Sequence, residues 1–322
     1  MFLLPSKARQ VLTLVKAGRA VPHPQAGMPL AFLHIPKTSG VAVSQGLRDA
    51  LPSHAAFTGF DRALFGAFDE FDTIEPNLRQ MIHLNASRIN HDADLVLGHL
   101  ALSTLRAVYP RHRLLTILRE PRARVISHWL YWRGLPDTEV ARWGSWGERV
   151  RYSSRPLGEF LSCPEIACQT DNLAVRMLLW PHPLIPGDGF IPPEADRVLL
   201  RAARRALSRL DFVGVCEDPL LNARVGDFLG RDFQRPRMNE TPTLPPECRP
   251  VLAREFNNLT MDTLRVCTRL DHTLWHEAVQ RAMPEREPEV VGEQAFLDNL
   301  FRYAERSTVL VTGPTLDSGS LN

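Results

Sequence analysis

From residue 29 to residue 283, apolar runs of strand length alternate with stretches that carry helical periodicity. Leu30–Ile35, Leu95–Gly98, Leu114–Leu118 and Phe212–Cys216 are short and almost wholly apolar, the pattern of strands buried on both faces of a parallel sheet. The first run is stopped by Pro36 and a polar turn, and Val41–Leu51 then reads as a helix. After the third, Pro121 fits the first turn of a helix, where the missing N–H is not needed. Alternation of this kind predicts an α/β fold with a central, mainly parallel sheet flanked by helices.

Three stretches break the rhythm. Leu135–Arg155 is polar and holds Trp143, Gly144, Trp146 and Gly147. Such an insertion can form a lid whose rings stack on a sugar, or its tryptophans can anchor it to the core. Pro181–Pro193 is a proline-rich loop. Beyond Pro284 one amphipathic stretch, Gln294–Glu305, precedes a Gly/Ser/Thr-rich tail that reads as disordered. The expected organisation is a leader and linker over 1–28, a catalytic domain over 29–283 and a partly disordered C-terminal extension over 284–322. The amphipathic stretch is free to pack on a second subunit of a homo-oligomer.

The chain of 322 residues, 44% hydrophobic, is long enough for one large α/β domain. A net charge of +2 gives no field that argues for nucleic acid. Arg201, Arg204, Arg205 and Arg209 lie on one helical stretch, either a solvated face or a contact for an acidic acceptor. The five cysteines, Cys163, Cys168, Cys216, Cys248 and Cys267, lack paired metal spacing. They fit a reducing cytoplasm, Cys216 as a core residue, with a Cys163–Cys168 bridge left open. The first fifteen residues carry only short apolar runs, too little for a membrane span. A surface helix over Ser6–Ala17 would place the chain peripherally at a membrane.

The chemistry concentrates at two turns. Lys37, Thr38, Ser39 and Gly40 join a buried strand to a helix, and the first amides of that helix have no internal partners. With the helix dipole they attract an anion, and Lys37 adds a point charge. Lysine is rare in the chain, only Lys7, Lys16 and Lys37 against 35 arginines, so one at this turn stands out. The Walker A pattern is absent, and so is an apolar strand ending in a magnesium-holding Asp. At the second turn Arg119 ends a strand, where open α/β sheets bind ligands. Ser127 follows eight residues later on the helix. An arginine fork with a hydroxyl suits a phosphate monoester.

His34-Ile-Pro-Lys-Thr-Ser-Gly40 resembles the 5′-phosphosulfate loop of the PAPS-dependent sulfotransferases, in particular the branch containing carbohydrate 2-O-sulfotransferases and many bacterial relatives. Arg119-Glu-Pro-Arg-Ala-Arg-Val-Ile-Ser127 is similar to that family's 3′-phosphate motif. Asp94-Leu-Val-Leu-Gly-His99 resembles its Gly-His strand end, Asp171-Asn172 to Arg176 a helix near the cofactor, and Phe212–Glu217 a late core strand. Arg237-Met-Asn-Glu-Thr241 resembles the loop that closes over the nucleotide, and Leu270–Trp275 the closing helix.

The resemblance implies a P-loop NTPase-like three-layer sandwich and the cofactor PAPS, released as PAP, with no metal. The acceptor would be a hydroxyl, of a carbohydrate or glycolipid. Lys37 would stabilise the leaving phosphate and His99 would be the general base, with His34 structural and His83 and His91 as rivals. Cofactor contacts would come from Lys37, Thr38, Ser39, Gly40, Val41, Ala42, Arg119, Ser127, Arg237 and Asn239. Val41 and Ala42 stand where the family carries hydroxyls, with Ser39 or Ser44 as substitutes. A non-catalytic PAP- or glycan-binding member of the fold and a P-loop nucleotide kinase-like enzyme are the alternatives.

Overall fold

A computed structural model describes residues 29–51, 55–84, 89–236, 244 and 252–307. Its strands are β1 (Leu30–Leu33), β2 (Ala56–Phe57), β3 (Phe60–Asp61), β4 (Ile82–His83), β5 (Leu95–Val96), β6 (Arg113–Leu118) and β7 (Phe212–Val215). The helices that frame the site are α1 (Gly40–Ala50), α2 (Leu102–Val108), α3 (Pro121–Arg133), α4 (Leu173–Leu179), α5 (Asp196–Leu207), α6 (Leu221–Leu229), α7 (Asn258–Ala282) and α8 (Pro288–Ser307).

Five strands form one sheet in the order β2-β5-β1-β6-β7, and every pairing is parallel. β3 and β4 pair separately. The alternation of side chains along β1 builds three layers. Leu30 and Phe32 point into a cluster with Val43 and Leu47 of α1 and Leu221 and Val225 of α6. Ala31 and Leu33 point the other way, into the larger cluster with Leu105, Val125, Trp129, Val175, Leu199 and Leu274. Leu33 pairs with Thr116, and Leu118 with Val215. The turns after β1, β6 and β7 therefore open on one edge of the sheet.

The insertion over 135–155 folds as short helices, among them Asp137–Ala141 and Ser145–Val150. Trp146 is buried edge-on against Phe65, Phe68 and Trp132, and Trp143 packs on the core beside Phe60. Both tryptophans anchor the segment. The proline-rich loop is pinned by Arg176, whose guanidinium donates to the carbonyls of Pro186 and Gly189 at 2.8 Å each. Arg176 also forms a fully buried pair with Asp171 at 2.8 Å.

Packing does not stop at residue 283. Val291, Phe296 and Tyr303 of α8 belong to the larger cluster. Arg122 pairs with Glu293 at 2.7 Å and lies 4.6 Å over the Phe296 ring. The amphipathic stretch thus covers its own chain's α3. Cys163, Cys168, Cys216 and Cys267 are free thiols. Among the described residues no helix is long and apolar enough to cross a membrane. The leader over 1–28, Cys248, Arg237, Asn239 and the tail over 308–322 lie outside the described residues.

Candidate functional site

The turn after β1 is wound tightly. Lys37 and Ser39 both take left-handed conformations, with φ of 68° and 62°, strained for residues with a Cβ. The strain turns the chain into α1, which starts at Gly40 with Ser39 as its N-cap and no side-chain cap bond. Gly40 is fixed by its neighbour, since a Cβ there would lie 1.6 Å from Nε2 of His34. The opening amides of α1 are left to an outside acceptor. Thr38 is buried and its hydroxyl donates to the Ile35 carbonyl at 2.9 Å, bracing the turn from inside. Val41, 45% exposed, and Ala42, half-buried, offer their amides but no side-chain donor. One turn on, the Ser44 hydroxyl is buried without a hydrogen-bond partner among the described residues.

The turn after β6 meets this loop directly. Arg119 donates from one Nη to the Lys37 carbonyl at 2.9 Å and from the other to Oδ1 of Asn299 on α8. Glu120 does not neutralise it: that carboxylate caps α3 through the Ala123 amide at 2.6 Å and pairs with Arg122 at 2.7 Å. The Glu120 amide donates to Glu217 at 2.9 Å, and the other Glu217 oxygen takes the Trp275 indole N–H at 3.0 Å. Burial raises the Glu217 carboxyl above its ordinary range.

Helix α3 presents Arg124, Ser127, His128 and Tyr131 at three- and four-residue spacing, hence on one face. The Lys37 ammonium sits 4.2 Å from the centre of the Tyr131 ring. Burial, reinforced by the Arg119 charge, brings Lys37 down to about 8. Arg124 is buried; one Nη donates to the Gln169 carbonyl at 3.1 Å, while Nε and the other Nη have no partner among the described residues. Burial lowers Arg124 to about 10; Asp271 works against the shift and Arg119 adds to it. Asp271 receives the Ala174 and Val175 amides at 2.9 Å each and is pushed up to about 6 by burial. His128 is buried with both ring nitrogens unpartnered, and burial followed by the Arg124 charge holds it well below the ordinary histidine value. Ser127 is buried, and its hydroxyl makes no hydrogen bond among the described residues. A small cleft lined by Thr38, Arg119, Arg124, Ala174, Asp271 and Trp275 opens between the two turns.

His99 follows β5 on the same edge, half-buried, with its backbone bridged to Phe60. Its Nδ1 lies 2.7 Å from the His34 carbonyl. A carbonyl only accepts, so Nδ1 carries the proton and Nε2 keeps its lone pair. Burial above all, with the nearby Lys37 charge, lowers His99 to about 4. Its ring lies 3.9 Å from that of His34, which is buried, stacked on Phe32 and held well below its usual value by burial. Of the other histidines, His83 packs on Phe57 at the edge of the sheet and His91 is exposed.

Lys37, Thr38, Ser39, Gly40, Arg119 and His99 therefore converge, with Ser127 on the facing helix. Arg176 and Asp171 do not join them, being spent on the buried pair. Cys216, half-buried, packs against the smaller core cluster and directs Sγ at the Thr38 carbonyl, 3.6 Å away, beneath the loop. Arg124, His128 and Tyr131 were absent from the expected site, although their helical spacing with Ser127 was a usable signal. Asn299, 180 residues from Arg119 in sequence, gave none. No protein-family model matches the chain, and no curated protein matches it.

Proposed function

We propose that the protein is a sulfotransferase that moves the sulfuryl group of PAPS to an acceptor hydroxyl, of a carbohydrate or glycolipid. The observation that carries this is the gathering of Lys37, Arg119 and Arg124 between two strand-to-helix turns, with His99 on the same sheet edge and its Nε2 free. Uncompensated buried cations are unfavourable alone and call for an anion with charge at more than one point.

The residues suit that substrate. The unpartnered Nε and Nη of Arg124, the Ser44 hydroxyl and the free opening amides of α1 are donors without acceptors. The α1 amides, Lys37, Ser39 and Gly40 would hold the 5′-phosphosulfate, and Arg119 with Ser127 the 3′-phosphate. Parallel strands carrying a phosphate-type turn on the central strand support a P-loop-like sandwich as the fold.

In such a reaction His99 Nε2 takes the proton of the acceptor hydroxyl as that oxygen attacks sulfur in line. The bond from sulfur to the leaving phosphate breaks, and the Lys37 ammonium meets the charge that grows on the departing oxygen. Tyr131 positions Lys37 through its ring, and the His34 carbonyl positions His99.

Val41 and Ala42, which offer no hydroxyl at the loop, favour a second reading: a member of the fold that binds PAP or a glycan without turnover. Incubation with PAPS and a panel of glycans, followed by mass spectrometry of PAP and product, separates the two. Acceptor-dependent PAP release that is lost in Lys37→Ala and His99→Ala supports the transferase. PAP binding without turnover selects the second reading, and turnover of magnesium-ATP instead overturns both.

A further inference from the structure

An open groove of about 270 Å³ lies away from this site, between α2, α4 and α5. Leu102, Leu178, Trp180 and Ala206 supply apolar walls, while Arg106, Arg205 and Arg209 stand at its rim. The volume is close to the lower end of ordinary ligand pockets, roughly 300 Å³.

The charge arrangement is unusual. Arg197, Arg201, Arg205 and Arg209 recur every four residues along α5 and just past its C-cap. All four are exposed and none forms an ion pair among the described residues, whereas Arg204, on the next face, pairs with Glu277 at 2.6 Å. Like charges four apart on a helix repel. Arg106 reaches the same recess from α2, and its ordinary value is lowered by burial and then by Arg209. A solvated face would spread its charges; here two separate helices bring theirs to the mouth of one apolar groove.

We infer that this groove binds a single-chain anionic amphiphile, an acyl tail against Leu102, Leu178, Trp180 and Ala206 and a carboxylate head held by Arg106, Arg205 and Arg209. Guanidinium forks match a carboxylate in two-point contact. The apolar walls give the tail the burial that a free acid anion would not need. A polyanion would use the whole arginine stripe but leave the groove empty, so the groove selects the amphiphile.

The full chain is titrated calorimetrically with decanoate below its micelle concentration, beside decanol, decyltrimethylammonium and inorganic phosphate. The expected result is saturable 1:1 binding of decanoate, at least ten-fold tighter than any of the three controls. Arg205→Ala/Arg209→Ala, two exposed positions, should weaken it at least ten-fold, and Ala202→Trp, which fills the groove, should abolish it with the melting temperature kept. No saturable decanoate binding, equal binding of decanol or phosphate, or indifference to both variants overturns the assignment. So does displacement of decanoate by a single-stranded oligonucleotide that itself binds Ala202→Trp as tightly as the wild type.

Discussion

His99 donates its Nδ1 proton to the main-chain carbonyl of His34 across 2.7 Å, and that bond decides what the imidazole can do. It fixes the tautomer, leaves Nε2 as a bare acceptor and aims it from the sheet edge that carries Lys37 and Arg119. His99→Ala should lower turnover by about 10²–10⁴-fold, the usual contribution of a positioned base. PAP affinity should change little, since no phosphate grip is lost. Steady-state kinetics beside PAP titration tests this split; a variant that loses binding and turnover together would show His99 to be structural.

The pH profile follows from the same pair of groups. His99, lowered to about 4, is neutral above that value and becomes unable to accept a proton below it. Lys37, lowered to about 8, loses its ammonium as pH rises through that value. The plot of kcat/KM should rise through about pH 4 and fall through about pH 8. In the kcat profile the alkaline limb should lie higher, because bound phosphate favours the charged lysine. Lys37→Ala should lower kcat by about 10²-fold or more and remove the alkaline limb from its residual activity. An alkaline limb that persists in Lys37→Ala contradicts the role given to Lys37.

Gly40 and His34 form a steric pair. With the imidazole nitrogen 1.6 Å from where a Cβ would sit, Gly40→Ala must expel His34 or shift α1. Urea unfolding should show a loss of roughly 2–4 kcal/mol. Adding His34→Ala should return at least about 1 kcal/mol of it, a coupling expected of touching residues. Strict additivity would mean that the clash is relieved elsewhere.

Acid should unfold the protein early. Burial holds His34, His99 and His128 below the ordinary value of 6.5, so they stay neutral in the fold while the unfolded chain takes up protons. The stability this carries is present above about pH 6.5 and is lost as pH falls. Asp271, raised from 3.8 to about 6, works in the opposite sense with Asp171 and Glu217, also raised by burial. His83, His112 and His272, however, are lowered by burial and add to the three histidines. Thermal melts should lose at least about 5 °C between pH 7 and pH 5; a flat profile over that range contradicts the burial of neutral imidazoles.

The parts legible in the sequence were those set by neighbours in the chain. The apolar runs of β1, β6 and β7, the stop at Pro36 and the helix start at Pro121 are local signals, and the parallel sheet follows from their alternation. The convergence of Lys37 with Arg119 was legible because both turns end strands of one sheet. Side chains placed by tertiary packing were not. Asn299 reaches Arg119 only because α8 buries Phe296 and Tyr303 on the main core, which amphipathicity alone could not assign to one chain or two. Of the helix read as near the cofactor, Ala174 lines the cleft, while Arg176 is taken by Asp171 beneath the proline-rich loop. Cys216 was legible as core from its apolar run and does pack on the smaller cluster, but its contact with the Thr38 carbonyl beneath the turn after β1 was not.

The most direct test of the central claim is calorimetric titration with PAP, beside ADP and magnesium-ATP, of the wild type and Arg119→Ala. Micromolar PAP binding that falls at least ten-fold in Arg119→Ala, with little affinity for magnesium-ATP, is the predicted result. Absence of PAP binding, or a preference for magnesium-ATP that Arg119→Ala leaves intact, would contradict it.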